Sequence, residues 1–163
     1  MRFVDFGKKC KLAADIVGGF LYVGLFITFV VQVTARFGFN RPLMWSDELA
    51  VILYIWVVLW AAAFMVPEDE QVRFGLLYDL VPPNVQRVMR IAAYLIIGGL
   101  SAWALPASWS YIHFMAREGT PVLGWPIMWV FLPFAMLLVS LAVRAVWNIT
   151  LIMGQFKFTK EQQ

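Results

Sequence analysis

The chain has 163 residues, of which 62% are hydrophobic and 14% charged, with a net charge of +3 and a mean hydropathy of +0.76. Soluble domains carry about 25% charged residues, and a globule of this size needs far more polar surface than this composition supplies. Intrinsic disorder is excluded by the same figures, which leaves a bilayer as the solvent.

The distribution of charge divides the chain into elements. Four windows, 16–35, 49–66, 91–116 and 119–143, contain no Asp, Glu, Lys or Arg. A helix needs roughly 20 apolar residues to cross the hydrocarbon core. Backbone groups in lipid must be paired internally, and the windows do not alternate as barrel strands would. The expected fold is therefore an all-α integral membrane domain occupying 1–163. Its four transmembrane helices are expected near 15–37, 48–67, 86–116 and 121–147, with short interfacial amphipathic helices.

The first segment groups Arg2, Lys8, Lys9 and Lys11 with Phe3 and Phe6. We read it as a solvated basic flank in preference to a helix lying on an anionic membrane surface. The apolar stretch behind it is longer than a signal-peptide core, and Gln32-Val-Thr-Ala-Arg36 is a poor cleavage site, so a retained signal-anchor helix is expected. Gly18, Gly19 and Gly24 permit close helix approach. Cys10 is the single cysteine, which precludes an internal disulfide or a cysteine metal cluster.

The following loop reads RFGFNRPLMWSDE over 36–48. Ser46 is expected to cap the second helix, with Asp47 and Glu48 favoured by the helix dipole in its first turn. The alternative for Glu48 is a salt bridge to Arg41 or Arg36, because a carboxylate at the membrane edge is costly unless paired. Leu53, Trp56 and Trp60 share one side of the second span, and the two indoles are expected to pack against protein or lipid. Pro67 should end this span. Val72, Leu76 and Leu80, with Arg73 off their stripe, predict an interfacial helix over 70–81, which Pro82-Pro83 breaks.

The third span holds Gly98 and Ala102, a small-xxx-small pair suited to packing, and Pro106, which should kink it. The link 117–121 is short enough for a tight hairpin. Trp109, Tyr111, Trp125 and Trp129 lie near it like an aromatic belt. Pro126 and Pro133 predict a broken or kinked fourth span.

With four spans both termini lie on one side. That side holds 10 of the 13 Lys and Arg residues, so both termini are expected in the cytoplasm. No basic face or motif calls for a nucleic-acid partner.

Catalytic constellations are missing from the sequence. There is one histidine, His113, near the outer end of the third span and better suited to an interfacial hydrogen bond than to catalysis. A haem between helices would call for two. HExxH, GxSxG and phosphate-cradling glycine loops are absent. Transporters place polar groups at the midplane, whereas the spans here offer only a few Ser, Thr and Gln side chains. An enzyme is not expected. A chain of this kind works by association. The alternative is a stand-alone oligomeric small four-helix transporter, a class that needs an acidic residue inside a span.

Arg41-Pro-Leu-Met-Trp45-Ser-Asp-Glu48-Leu, then Glu68-Asp-Glu-Gln-Val-Arg73, Leu80-Val-Pro82 and Thr120-Pro-Val-Leu-Gly-Trp-Pro126 together resemble the small membrane subunit of TRAP (tripartite ATP-independent periplasmic) transporters, the DctQ-like chains. The likeness covers about residues 15–150. Two positions differ from the usual pattern: Gln71, where members often have His, and Trp60-Ala61-Ala62, where they often have Gly. The resemblance implies a scaffold subunit of an organic-acid uptake system in the bacterial inner membrane. Its implied partners are a large multi-span subunit that carries the substrate and ion sites, a periplasmic binding protein and membrane lipids. It implies a driving ion gradient, commonly sodium, bound by the large subunit, and no cofactor on this chain. Arg41, Trp45, Glu48, Trp56, Trp60 and Arg73 are the candidates for structural or partner contacts; no catalytic, substrate or metal residue is assigned.

Overall fold

The structure, a computed structural model, describes the backbone of residues 2–66 and 82–160 and the side chains of 9–66, 82 and 85–152. Among the described residues the chain is all-α. Helix α1 spans Arg2–Val33, α2 Met44–Trp60, α3 Pro83–Phe114 and α4 Ile127–Lys160. Single π-helical turns, Thr34–Gly38 and Ala61–Met65, extend α1 and α2, and a 3₁₀ turn, Met115–Arg117, extends α3. Four stretches are long and apolar enough to cross a membrane: Lys9–Gly38, Met44–Met65, Val85–Arg117 and Ile127–Ile152. The shortest has 22 residues; at about 1.5 Å per residue it clears the ~30 Å hydrocarbon core. The expected interfacial helix over 70–81 lies outside the described residues, together with Pro67 and Arg73.

Local chemistry explains the element ends. After its π turn α1 stops at Asn40, whose φ is +53°, and the Arg41 amide closes back on the Ala35 carbonyl at 3.0 Å. Asn tolerates the left-handed conformation because its short polar side chain can bond locally. Ser46 does not cap α2 as expected. The helix starts at Met44 with extended Leu43 before it, and the Ser46 amide already donates to the Leu43 carbonyl at 3.1 Å. Ser46 is therefore inside the first turn, fully buried, and its hydroxyl donates to that same carbonyl at 2.8 Å. The fourth helix begins at Ile127, later than the expected 121. Pro126 precedes the first turn and does not break the helix; its missing N–H is harmless there. Pro133 alone lies inside α4.

Two compact units emerge from the packing. The first combines Met1–Met65 with Ser108–Leu137, and the second Val66–Ala107 with Leu138–Gln163. In the first, α1 packs along α2. Gly18 is buried against Met65 and Trp60, and the Trp60 and Phe64 rings lie 4.6 Å apart between centroids. Ile52, Ala63, Ile112, Val130 and Pro133 are buried. In the second unit, buried Gly98 faces the Cβ of Ala145. The expected Gly98–Ala102 pair is corrected here: Ala102 is exposed, and Ser101, three residues from Gly98, is the buried neighbour. Positions i+3 and i+4 both flank a helical residue, and here the former is the covered one. Arg144 donates from Nη1 to the Val66 carbonyl at 3.2 Å, placing a cation on a carbonyl just past the α2 extension.

Candidate functional site

The polar centre of the first unit is the connection between α3 and α4. Its bonds leave little freedom. Thr120 N–H donates to the Trp125 carbonyl at 2.8 Å, Gly124 N–H to the Thr120 carbonyl at 3.0 Å, and Ile127 N–H to the Glu118 carbonyl at 3.0 Å. The Trp125 amide donates to the Thr120 hydroxyl oxygen at 3.0 Å. Gly124 has φ +66°, a conformation that glycine adopts without a Cβ penalty. Pro121 and Pro126 contribute no N–H.

Two further amides of this turn, Val122 and Leu123, point to α2. The Val122 amide lies 2.7 Å from Glu48 Oε2, and the Leu123 amide is shared between Oε1 at 3.3 Å and Oε2 at 3.4 Å. The Thr120 hydroxyl, already an acceptor, keeps its own proton available for the same carboxylate. Consecutive amides converging on an anion form a small cradle, and charge-assisted bonds of this type are stronger than neutral ones. Glu48 therefore ties the start of α2 to the turn between α3 and α4. The expected alternative, a salt bridge to Arg41 or Arg36, gives way to this pairing, since the carboxylate's bonds go to backbone amides 74 and 75 residues away.

The two indoles also make specific bonds. Trp56 Nε1 donates to the Trp129 carbonyl at 3.1 Å, and Trp60 Nε1 to the Ala14 carbonyl at 3.0 Å. The first has a clear cause. The Trp129 carbonyl would ordinarily accept from the amide of residue 133, which is proline. Proline has no N–H and orphans the carbonyl four residues back, and in lipid such a group needs another partner. Trp56 supplies it. Replacing Trp56 with Phe should cost about 1 kcal/mol in a Pro133 background. It should cost markedly less after Pro133→Ala, which restores the helical donor. A double-mutant cycle by reversible unfolding of the full chain in detergent measures this coupling; additive effects would refute it.

Residues 25–152 match the family described as tripartite ATP-independent periplasmic transporters, DctQ component. The chain belongs to that family. Its match to the sialic acid TRAP transporter permease protein SiaT of Haemophilus influenzae is 28% identical over 90 residues, covering 55% of this chain and 15% of that protein. The match to the C4-dicarboxylate TRAP transporter small permease protein DctQ of Vibrio cholerae is 26% identical over 98 residues, covering 60% of this chain and 42% of that protein. The matched part is thus less than half the length of either relative.

The other candidate positions are placed as follows on this DctQ component. Trp45 stands one turn before Glu48 and is 43% exposed. Arg41 is exposed, with its backbone committed to ending α1. Arg73 lies outside the described residues. Of the six candidates the structure brings Glu48, Trp56 and Trp60 into interhelical bonds. The Arg144 contact was not anticipated from the sequence; the single basic residue of the apolar stretch Ile127–Ile152 was the available signal.

Proposed function

We propose that this multi-pass membrane protein is the scaffold subunit of a TRAP-type secondary uptake system for an organic acid, bracing a large multi-span partner that holds the substrate and ion sites. One observation carries the reading: four polar side chains within the spans are spent on the chain's own backbone. Glu48 binds the turn amides, Trp56 and Trp60 bind carbonyls of other helices, and Thr28 donates to the Gly24 carbonyl at 2.8 Å. Groups used this way stiffen a support and leave few polar atoms to grip a solute. Large apolar side chains meanwhile face outward, Phe20 at 76% and Trp103 at 80% exposed, as lipid or a membrane partner requires.

In this reading both termini are cytoplasmic, the membrane is the bacterial inner membrane, and the hairpin between α3 and α4 faces the periplasm. A periplasmic binding protein delivers the acid, and an ion gradient, sodium in the first instance, drives uptake through the large subunit.

The test is reconstitution. Proteoliposomes with this chain alone should accumulate no labelled organic acid under a sodium gradient. Vesicles with the large subunit, this chain and the binding protein should. Uptake by this chain alone would overturn the proposal in favour of a stand-alone oligomeric carrier.

A further inference from the structure

The first unit carries an open groove of about 480 Å³ between α1 and α2. Phe26, Phe29, Val51 and Tyr54 are among its apolar lining, and Gln32 and Asp47 form its polar end. The Gln32 side-chain amide donates to one Asp47 carboxylate oxygen. This end lies where α1 finishes and α2 begins, beside the connection that carries exposed Arg36 and Arg41.

The dimensions and charges specify an occupant. From Gln32 back to Tyr22 the helix rises about 15 Å, which is the depth of one leaflet of a ~30 Å core. The groove therefore runs from the membrane surface toward the midplane. An apolar cleft of that depth takes an acyl chain. A carboxylate at its mouth is costly at the membrane edge without a cation, and Gln32, a neutral donor, does not neutralise it. Two arginines on the adjoining connection favour a phosphate. The carboxylate at the mouth, with two exposed arginines on the connection that follows α1, matches a zwitterion with a primary ammonium.

The geometry points to a binding site for one aminophospholipid of the phosphatidylethanolamine type. Its chain lies along Phe26, Phe29 and Val51, its ammonium donates to Asp47, and its phosphate stands at the membrane surface on the side of the α1–α2 connection. Phosphatidylglycerol, which lacks the ammonium, meets Asp47 as a like charge. The inference requires that α1 and α2 sit in a bilayer; it does not depend on what the whole system transports.

Native mass spectrometry of the full chain, released from nanodiscs with equal phosphatidylethanolamine and phosphatidylglycerol, tests it. The wild type should retain the amine lipid over the glycerol lipid by on the order of tenfold, from one charge-assisted bond gained and one repulsion avoided. Asp47→Asn, which keeps an acceptor for Gln32, should abolish that preference. Val51→Trp should fill the groove and reduce retention of both lipids, while Glu118→Gln on the hairpin should change neither. Circular dichroism confirms that each variant keeps its helices. Equal retention of the two lipids by the wild type, or an undiminished preference in Asp47→Asn, would overturn the site. So would a photo-crosslinker at position 51 that captures protein in place of lipid in the assembled membrane complex.

Discussion

Replacing Glu48 with alanine should free the turn between α3 and α4 and lower recovery of any intact complex by on the order of tenfold, while leaving solute affinity of complexes that do form nearly unchanged. The reason is local. Val122 and Leu123 both donate across the interhelical gap to this one carboxylate. Alanine removes the acceptor and leaves two amides to water or to nothing, depending on their depth in the membrane. Hydrogen exchange should resolve the change, with faster exchange at 122 and 123 and little change along α1. Glu48→Gln, which retains one acceptor oxygen, should lie between. Glu48→Asp should resemble alanine more than glutamine, because its side chain is one methylene short of the turn. Intact protection at 122 and 123 in the alanine variant would remove Glu48 as the tie. Normal assembly with lost solute binding would instead make it a site residue.

The positions of the spans were legible because lipid imposes a simple rule. A stretch of about 20 residues without charge must bond its own backbone, and only a helix does so within one segment. What joins the helices was less legible, because it depends on atoms distant in sequence. Glu48 was recognisable as a carboxylate favoured by the helix dipole or in need of a partner, and the nearest cations in sequence, Arg36 and Arg41, supplied the alternative reading of a salt bridge. The actual partners are backbone amides, which carry no residue-type signature. Their availability follows from a turn flanked by Pro121 and Pro126, and only the folded chain reveals where those amides point.

Trp56 illustrates a signal present but unread. Pro133 in a membrane helix fixes the carbonyl of residue 129 as an unpaired acceptor, and an indole N–H on a neighbouring span is a natural donor to it. The pairing of spans could not be read from spacing, but the need for a donor could. Ser46 shows the opposite error. A serine beside two acids has the composition of a cap, but the cap is defined by backbone conformation, and the extended residue is Leu43, with φ −93° and ψ 102°. Gly98 was correctly placed at a close approach, and its supposed companion Ala102 was not. Both neighbours are small, and only the folded chain shows which one is covered.

Two buried glycines should respond differently to the same small change. In a helix Gly→Ala ordinarily stabilises by about 0.5–1 kcal/mol, because alanine loses less backbone entropy on folding. At Gly18 the new methyl would meet the Met65 sulfur first and the Trp60 ring edge next. Methionine is unbranched and can swing aside, so Gly18→Ala should be close to neutral. At Gly98 the new methyl would meet the Cβ of Ala145. That atom is fixed to the α4 backbone and can yield only if the helix moves. Gly98→Ala should therefore destabilise the second unit by about 1–3 kcal/mol, the usual cost of overpacking, despite its better intrinsic propensity. Ala145→Gly should relieve most of that loss when combined with it, because it removes the opposing methyl and restores the original spacing. Unfolding of the full chain in detergent, read for both single variants and the double, gives the comparison. Equal effects at the two glycines, or no rescue by Ala145→Gly, would mean that the contact between α3 and α4 is loose enough to absorb a methyl, and that small residues there do not set the helix separation.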